Sequence, residues 1–288
     1  MAVKIEAQDG EFVAVVRGLK VTGPVLAEIL EQIRDGLDKH LVLVIPGSDL
    51  DDDAFVEFGR GFGEVEDFSI AYGSNKAAGN VTNLDPGKRV PRAPDDPFRV
   101  SIAGDALWHT DSSYRPYRAR YSMLVARTVP KSGGETQFCD TRGAYDALPE
   151  ATKRRIEGLT AIHSIIHSRK LVGYDGWTEE QRAALPPASQ PLVLVNPSTG
   201  RRSIYLASHI CGIEGWDEAE AGALIQGLTE FATQPRFVHQ HAWSVGDIVI
   251  WDDRATMHRR MPYDDLNEAR ELTTVRVVDL PEARRAVV

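Results

Sequence analysis

Gly246-Asp247-Ile248-Val249-Ile250-Trp251-Asp252-Asp253-Arg254-Ala255-Thr256-Met257-His258 runs from a turn, through a short apolar strand, into a polar bend before a histidine. The apolar run is short, rich in β-branched residues and bounded by Gly and Asp, which reads as a buried strand. The same pattern recurs at near-regular spacing: Tyr121 to Val129, Thr136 to Asp140, Ala161 to Ser168, Leu192 to Val195, Ser203 to Leu206 and Thr273 to Val278. Helical periodicity covers Gly143 to Leu159 and Glu218 to Thr233, the latter with Ala221, Leu224, Ile225, Leu228 and Phe231 on one face. Many short strands with intervening turns predict a mainly β protein, a β-sandwich or jelly roll with helices on its outside.

The first part of the chain has a different grammar. Phe12, Ala14 and Val16 alternate as in a strand, and Val25, Ile29, Ile33 and Leu37 recur at helical spacing. Leu41 to Ile45 is a buried strand stopped by Pro46-Gly47, and Asp51 to Phe62 is a second amphipathic helix with Phe55, Phe58 and Phe62 on one side. Residues up to about 63 therefore form a βαβα entry unit. From 64 to 107, Gly, Asn and Pro break every period, which predicts a long irregular segment with short strands, the kind of loop that usually serves function. No Pro/Gly/Ser linker divides the chain, so residues 1–288 are expected to form a single domain.

Composition excludes several classes of function. The 288 residues carry a net charge of −9, which argues against a nucleic-acid partner, because phosphate binding depends on clustered Lys and Arg that release counterions. The hydrophobic share of 42% is that of a globular protein rather than a disordered one. Only Cys139 and Cys211 are present, which rules out a disulfide framework or a four-thiolate zinc site and suits a reducing compartment. No secretory signal begins the chain and no apolar stretch approaches the roughly 20 residues that span a bilayer. A cytoplasmic protein with no membrane partner is expected, acting on a small molecule, and a homo-oligomer is allowed.

The sharpest chemical signal is Leu107-Trp108-His109-Thr110-Asp111. On a strand, His109 and Asp111 at i and i+2 project from one face. Two His and one carboxylate on one face of an octahedron bind non-haem Fe(II) and leave adjacent positions open. His258 is the best third ligand, although nothing local brings it near Asp111. Arg270, opening the strand Arg270 to Val277, offers a guanidinium that can grip a distal carboxylate bidentately. Thr136, in Gly133-Gly134-Glu135-Thr136-Gln137-Phe138, adds a hydroxyl. Each of these features alone has an ordinary structural explanation.

Together the blocks carry a resemblance. Trp-His-Thr-Asp-Ser-Ser from Trp108, Arg-Tyr-Ser-Met-Leu from Arg120, Ser-Gly-Gly-Glu-Thr-Gln-Phe-Cys-Asp from Ser132, Ala-Tyr-Asp-Ala-Leu-Pro from Ala144, and Val245 to Arg270 resemble the Fe(II)/2-oxoglutarate dioxygenase family of taurine dioxygenase and 2,4-dichlorophenoxyacetate dioxygenase. The phenoxyalkanoate-herbicide branch is the more similar one. The resemblance implies a double-stranded β-helix with His109, Asp111 and His258 as iron ligands and Thr136 and Arg270 holding 2-oxoglutarate. It further implies O₂-dependent conversion of 2-oxoglutarate to succinate and CO₂, with hydroxylation of a small organic acid. An aryloxyalkanoate attacked beside its ether oxygen would be cleaved. Asp111 disfavours halogenation, which needs that carboxylate absent.

Departures from the pattern concern the substrate. Relatives carry a second Arg four residues after the first, where this chain has Thr274, and Arg276 is the candidate replacement because it keeps to the same strand face. Asp105 stands where several relatives have Asn, and either pairs with a substrate amine or caps a turn. Tyr72, Asn75, Ser208 and His209 match stretches that approach the substrate in this family. Sulfonate, amino-acid or isonitrile-precursor oxidation are alternatives to aryloxyalkanoate cleavage. A cupin-like metal isomerase or hydrolase would share the barrel without consuming O₂, and a metal-free binding protein would have no affinity for Fe(II).

Other histidines give weaker patterns. His163 and His167 have zinc-chelating spacing on a helix but sit among Ile residues that read as a strand, with no Glu after the first His. His239 and His241 could share a strand face but lack a nearby acid in sequence. His40 closes a helix, where a cation suits the dipole. Trp108 and Trp251 read as a hydrophobic shell around the ligands.

Overall fold

The computed structural model describes residues 3–8, 12–68 and 77–280. Its strand Ile248–Asp252 shows how the fold is built: Ile248 and Ile250 join one buried cluster while Val249 and Trp251 join another. Period-two alternation therefore makes this strand the wall between two cores. It pairs antiparallel with Val42–Ile45 on one side and with Ala119–Thr128 on the other, in the middle of a seven-stranded sheet. Glu271–Val278 and Gly79–Thr82 complete one edge of that sheet; Val13–Arg17 and Lys4–Ala7 complete the other.

One face of this sheet is covered by the entry unit. Ile33 and Leu37 of the helix Ala27–His40, and Phe55, Val56 and Phe58 of the helix Asp52–Arg60, pack on Tyr121, Met123, Val125, Ile250 and Val275. Val13–Arg17 and Val42–Ile45 are parallel, as a crossover through the first helix requires. The chain order here is strand, helix, strand, helix, with the hairpin strand Lys4–Ala7 in front.

The other face meets a three-stranded sheet of Val238–His241, Thr136–Asp140 and Thr256–Arg260. Phe138 packs between the sheets against Leu124, Val249, Trp251 and Leu272, whereas Cys139 and Met257, one residue out of phase, face an outer cluster with Leu228 and Ala232 of the helix Glu218–Ala232. Two sheets face to face with helices outside both are the jelly-roll arrangement expected from the sequence, and this parity directs His258 inward, opposite Met257. Among the described residues no helix is long and apolar enough to cross a membrane.

Several boundaries differ from the sequence reading. Gly143 to Leu159 is two helices, Thr141–Ala147 and Glu150–Ile156, because Pro149 cannot continue the first. Ala161 to Ser168 is a strand, Thr160–His163, followed by a helix, Ile165–Leu171, whose N-cap Ser164 accepts from the backbone N–H of His167. His163 and His167 therefore belong to different elements and form no chelating pair. The irregular segment contains the helix Pro97–Ile102, capped by Asp96 with Pro97 at its first position, then a 3₁₀ turn, Ala103–Ala106. The polar bend lies at Asp253 and Arg254, so His258 stands inside the next strand.

Ile250 is fully buried against the helical layer. Ile250→Ala is expected to cost about 2–5 kcal/mol, read as a lower urea midpoint with an unchanged slope.

Candidate metal centre

His109 and His258 exchange backbone hydrogen bonds, N–H of His109 to O of His258 at 3.0 Å and N–H of His258 to O of His109 at 2.8 Å. This antiparallel bridge joins His109, which lies outside any strand, to the strand Thr256–Arg260. It brings the imidazole rings to 4.2 Å between centroids. His109 and Asp111 do not lie on a regular strand as expected: Asp111 begins a turn whose backbone N–H donates to Asp253 Oδ1 at 3.1 Å. The turn still brings Asp111 to both imidazoles, its Oδ1 lying 3.9 Å from His109 Nε2 and its Oδ2 3.9 Å from His258 Nε2. Donor atoms of all three residues fall within 4.8 Å of one another, and all three are buried.

The protonation states suit a divalent cation, which requires neutral imidazole and ionised carboxylate. His109 Nδ1 lies 2.7 Å from the Leu107 carbonyl oxygen, so Nδ1 carries the proton and Nε2 is the bare nitrogen. Burial, reinforced by repulsion from His109, pulls His258 down to about 3. Burial would push Asp111 up, but Arg276 and the two imidazoles outweigh it and hold its carboxyl well below the usual range. Arg276 Nη2 reaches Asp111 Oδ1 at 2.9 Å and Arg276 Nη1 reaches Ser112 Oγ at 3.4 Å. Behind Asp111, Asp253 also accepts from Trp251 Nε1 at 3.1 Å. Burial and repulsion from Asp111 push Asp253 well above the usual carboxylate range.

The triad opens on a cavity with Arg270 and Thr136 on its wall. Arg270 is 3% exposed, yet among the described residues it has no carboxylate partner within ion-pair distance. Its Nε donates to the Gly134 carbonyl at 2.8 Å and its Nη2 to Thr136 Oγ1 at 3.5 Å. Burial, with repulsion from Arg260, pulls it down to about 10, still cationic at neutral pH. A buried cation without a counter-charge is a receptor for an anion from outside. Gly133 and Gly134, at φ +75° and +71°, shape this end: a Cβ on Gly134 would stand 3.1 Å from Arg270 Cδ, and one on Gly133 2.4 Å from the Pro262 carbonyl.

Two residues of this end were not singled out from the sequence. Asn83 Oδ1 accepts from the backbone N–H of Arg270 at 2.9 Å, while its amide donates to the carbonyls of Asp265 and Glu268, each at 2.8 Å. Trp243 Nε1 donates to Thr136 Oγ1 at 3.0 Å. Both contacts are far apart in sequence, and no local pattern announces them.

The remaining candidates separate. Asp105 pairs with Arg169 at 3.2 Å, a neutral couple on the cavity wall, so its carboxylate is already answered within the chain. His209 lines the cavity with Tyr114 and donates from Nδ1 to Ser168 Oγ at 2.8 Å, because that hydroxyl itself donates to the Ile165 carbonyl. Its Nε2 is therefore the bare nitrogen. Ser208 is not part of the described cavity wall; its backbone N–H donates to the Trp108 carbonyl. Thr274 and Arg276 both line the cavity. Tyr72 and Asn75 lie outside the described residues. His241 does have an acid near it in space, its Nε2 standing 3.4 Å from Asp247 Oδ2. Trp251 is buried 4.7 Å from the His258 ring, and Arg259 covers Trp108 at 4.6 Å. Cys139 and Cys211 are both free thiols.

Residues 5–276 match the model of the family described as taurine catabolism dioxygenase TauD, TfdA family. The chain belongs to that family. An alpha-ketoglutarate-dependent 2,4-dichlorophenoxyacetate dioxygenase from Burkholderia sp. (strain RASC) is 38% identical over 96% of this chain and 95% of its own. An (S)-phenoxypropionate/alpha-ketoglutarate-dioxygenase from Sphingobium herbicidovorans is 34% identical over 99% of this chain and 98% of its own. The crystal structure of AAD-2 in complex with Mn(II) and N-oxalylglycine superimposes with a TM-score of 0.92 at 36% identity, covering 96% of this chain and 98% of that one. Membership in the TauD, TfdA family bears out the expected resemblance and its jelly-roll fold.

His163, outside the triad, is fully buried with Nδ1 2.9 Å from Ser113 Oγ, and burial pulls it from 6.5 down to about 3. Its folded value lies below its unfolded one, so stability is complete above about pH 6.5 and is lost as pH falls toward 3. His163→Gln is expected to flatten that acid slope in denaturation measured at a series of pH values.

Proposed function

We propose that this chain is an Fe(II)- and 2-oxoglutarate-dependent dioxygenase that hydroxylates a small organic acid, an aryloxyalkanoate, at the carbon beside its ether oxygen. One observation carries the reading: a buried His109, Asp111 and His258 cluster shares a cavity with a buried Arg270 that has no ion-pair partner among the described residues. The first offers three ligands to iron and the second a clamp for the far carboxylate of the keto acid. The relatives named for 2,4-dichlorophenoxyacetate and (S)-phenoxypropionate support the substrate class. The entry unit shares its sheet with the jelly-roll strands, which supports one catalytic domain over residues 1–288.

His109 and His258 would hold the iron through Nε2, with Asp111 supplying a carboxylate oxygen. Iron held there would supply O₂ activation, with two electrons from the decarboxylation of 2-oxoglutarate to succinate and CO₂ and two from the substrate C–H, so that one oxygen atom enters each product. The chain's own residues set position and polarity. Arg276 holds Asp111 ionised and turned toward the imidazoles. Arg270 and Thr136 receive the tail of the keto acid, and the Leu124 and Trp251 side chains limit water on that wall. His209, bare at Nε2, offers an acceptor on the substrate side, and the Asp105–Arg169 couple lines that side without net charge. Hydroxylation beside the ether oxygen gives a hemiacetal, which collapses to a phenol and a carbonyl acid.

Succinate release under Fe(II), ascorbate and air is expected to rise with aryloxyacetates or 2-aryloxypropionates and not with sulfonates or amino acids; the reverse order would reject the substrate class. His109→Ala should abolish substrate-dependent succinate formation. Arg270→Ala should weaken 2-oxoglutarate binding by roughly 1.5–3 kcal/mol, seen as a raised KM for the keto acid.

A further inference from the structure

Among the described residues, four arginines line the cavity: Arg169, Arg260, Arg270 and Arg276. Arg169 is answered by Asp105 and Arg276 by Asp111, whereas among the described residues neither Arg260 nor Arg270 forms an ion pair. Arg260 ends the strand Thr256–Arg260, two residues beyond His258 and so on the same face. In the ladder it stands directly opposite Thr136. Its guanidinium lies 5.3 Å from the Tyr263 ring centroid, and Tyr263 packs over Gly133, next to the carbonyl that takes Arg270 Nε. Its cross-strand and ring neighbours therefore belong to the Arg270 end of the cavity.

We propose that Arg260 is a second cationic contact for the far carboxylate of the keto acid, so that this enzyme grips its co-substrate between two guanidinium groups with Thr136 between them. The inference rests on the reading of the cavity as a 2-oxoglutarate site and adds a selectivity-determining residue to it. Two unanswered cations facing one space repel each other, and one anion between them relieves both. Arg260 is half-buried, so bulk salt screens its share more than that of Arg270. Keto acids lacking the second carboxylate gain nothing from either group.

The test is calorimetric titration of the full-length Mn(II)-loaded protein with N-oxalylglycine, and with oxamate, which keeps a chelating end but lacks the tail. Wild type, Arg260→Gln, Arg260→Lys and Arg270→Gln are compared at several NaCl concentrations. Arg260→Gln is expected to weaken N-oxalylglycine about five- to tenfold, the scale of a charge-assisted bond at a half-exposed site. Oxamate affinity should be unchanged, Arg260→Lys should restore most of the loss, and the NaCl dependence should become shallower. The KM for the organic acid substrate should stay at its wild-type value. Wild-type affinity in Arg260→Gln alongside a loss in Arg270→Gln would overturn the role of Arg260 and leave the proposed function standing. A loss confined to the KM of the organic acid would also overturn it, assigning Arg260 to the substrate instead. If wild-type protein failed to bind N-oxalylglycine, the underlying reading of the cavity would fall and this inference with it.

Discussion

Two backbone hydrogen bonds between His109 and His258 are the constraint on which the rest of the site depends. They join an irregular segment to an edge strand of the smaller sheet, and so bring the turn that carries Asp111 to both imidazoles. Because they are backbone bonds, the approach of the two histidines does not depend on the side chains that would bind metal. The centre is preorganised as a feature of the fold, which lowers the cost of assembling three ligands around an ion.

Charge placement follows from that constraint. Three buried donors bring one negative charge into the interior, and Arg276 compensates it from the larger sheet. Asp253 lies behind Asp111 as a second carboxyl, and burial pushes it toward the neutral form, which limits repulsion. At the other end the balance is deliberately incomplete: Arg270 is buried beside hydroxyl and carbonyl oxygens but no acid among the described residues. A site that neutralises its His109, Asp111 and His258 end and leaves its far end cationic is polarised to orient a molecule with a chelating head and an anionic tail.

The architecture explains why the chain tolerates such a cavity. Period-two alternation gives the central strand one face for the helical layer and one for the space between sheets, and apolar clusters fill both of these and the outer face of the smaller sheet. Polar residues can then line the inner space without interrupting either outer core. The Asp105–Arg169 couple shows the same economy, an acid and a base from different elements meeting on the wall with no net charge.

Local pattern alone determined the entry unit, the strand-rich body and the residue types able to bind iron and a keto acid, because alternation, helical spacing and turn residues act over a few positions. It misjudged places where a single residue breaks a period: Pro149 splits one helix, and Ser164 caps a new one where a strand was expected to continue. The meeting of His109 with His258, the commitment of Arg276 to Asp111, the anchoring of Arg270 by Asn83 and the facing of Arg260 with Thr136 were decided only in three dimensions. Each joins residues distant in the chain through sheet register or a loop contact, and such long-range geometry has no signature in short-range sequence.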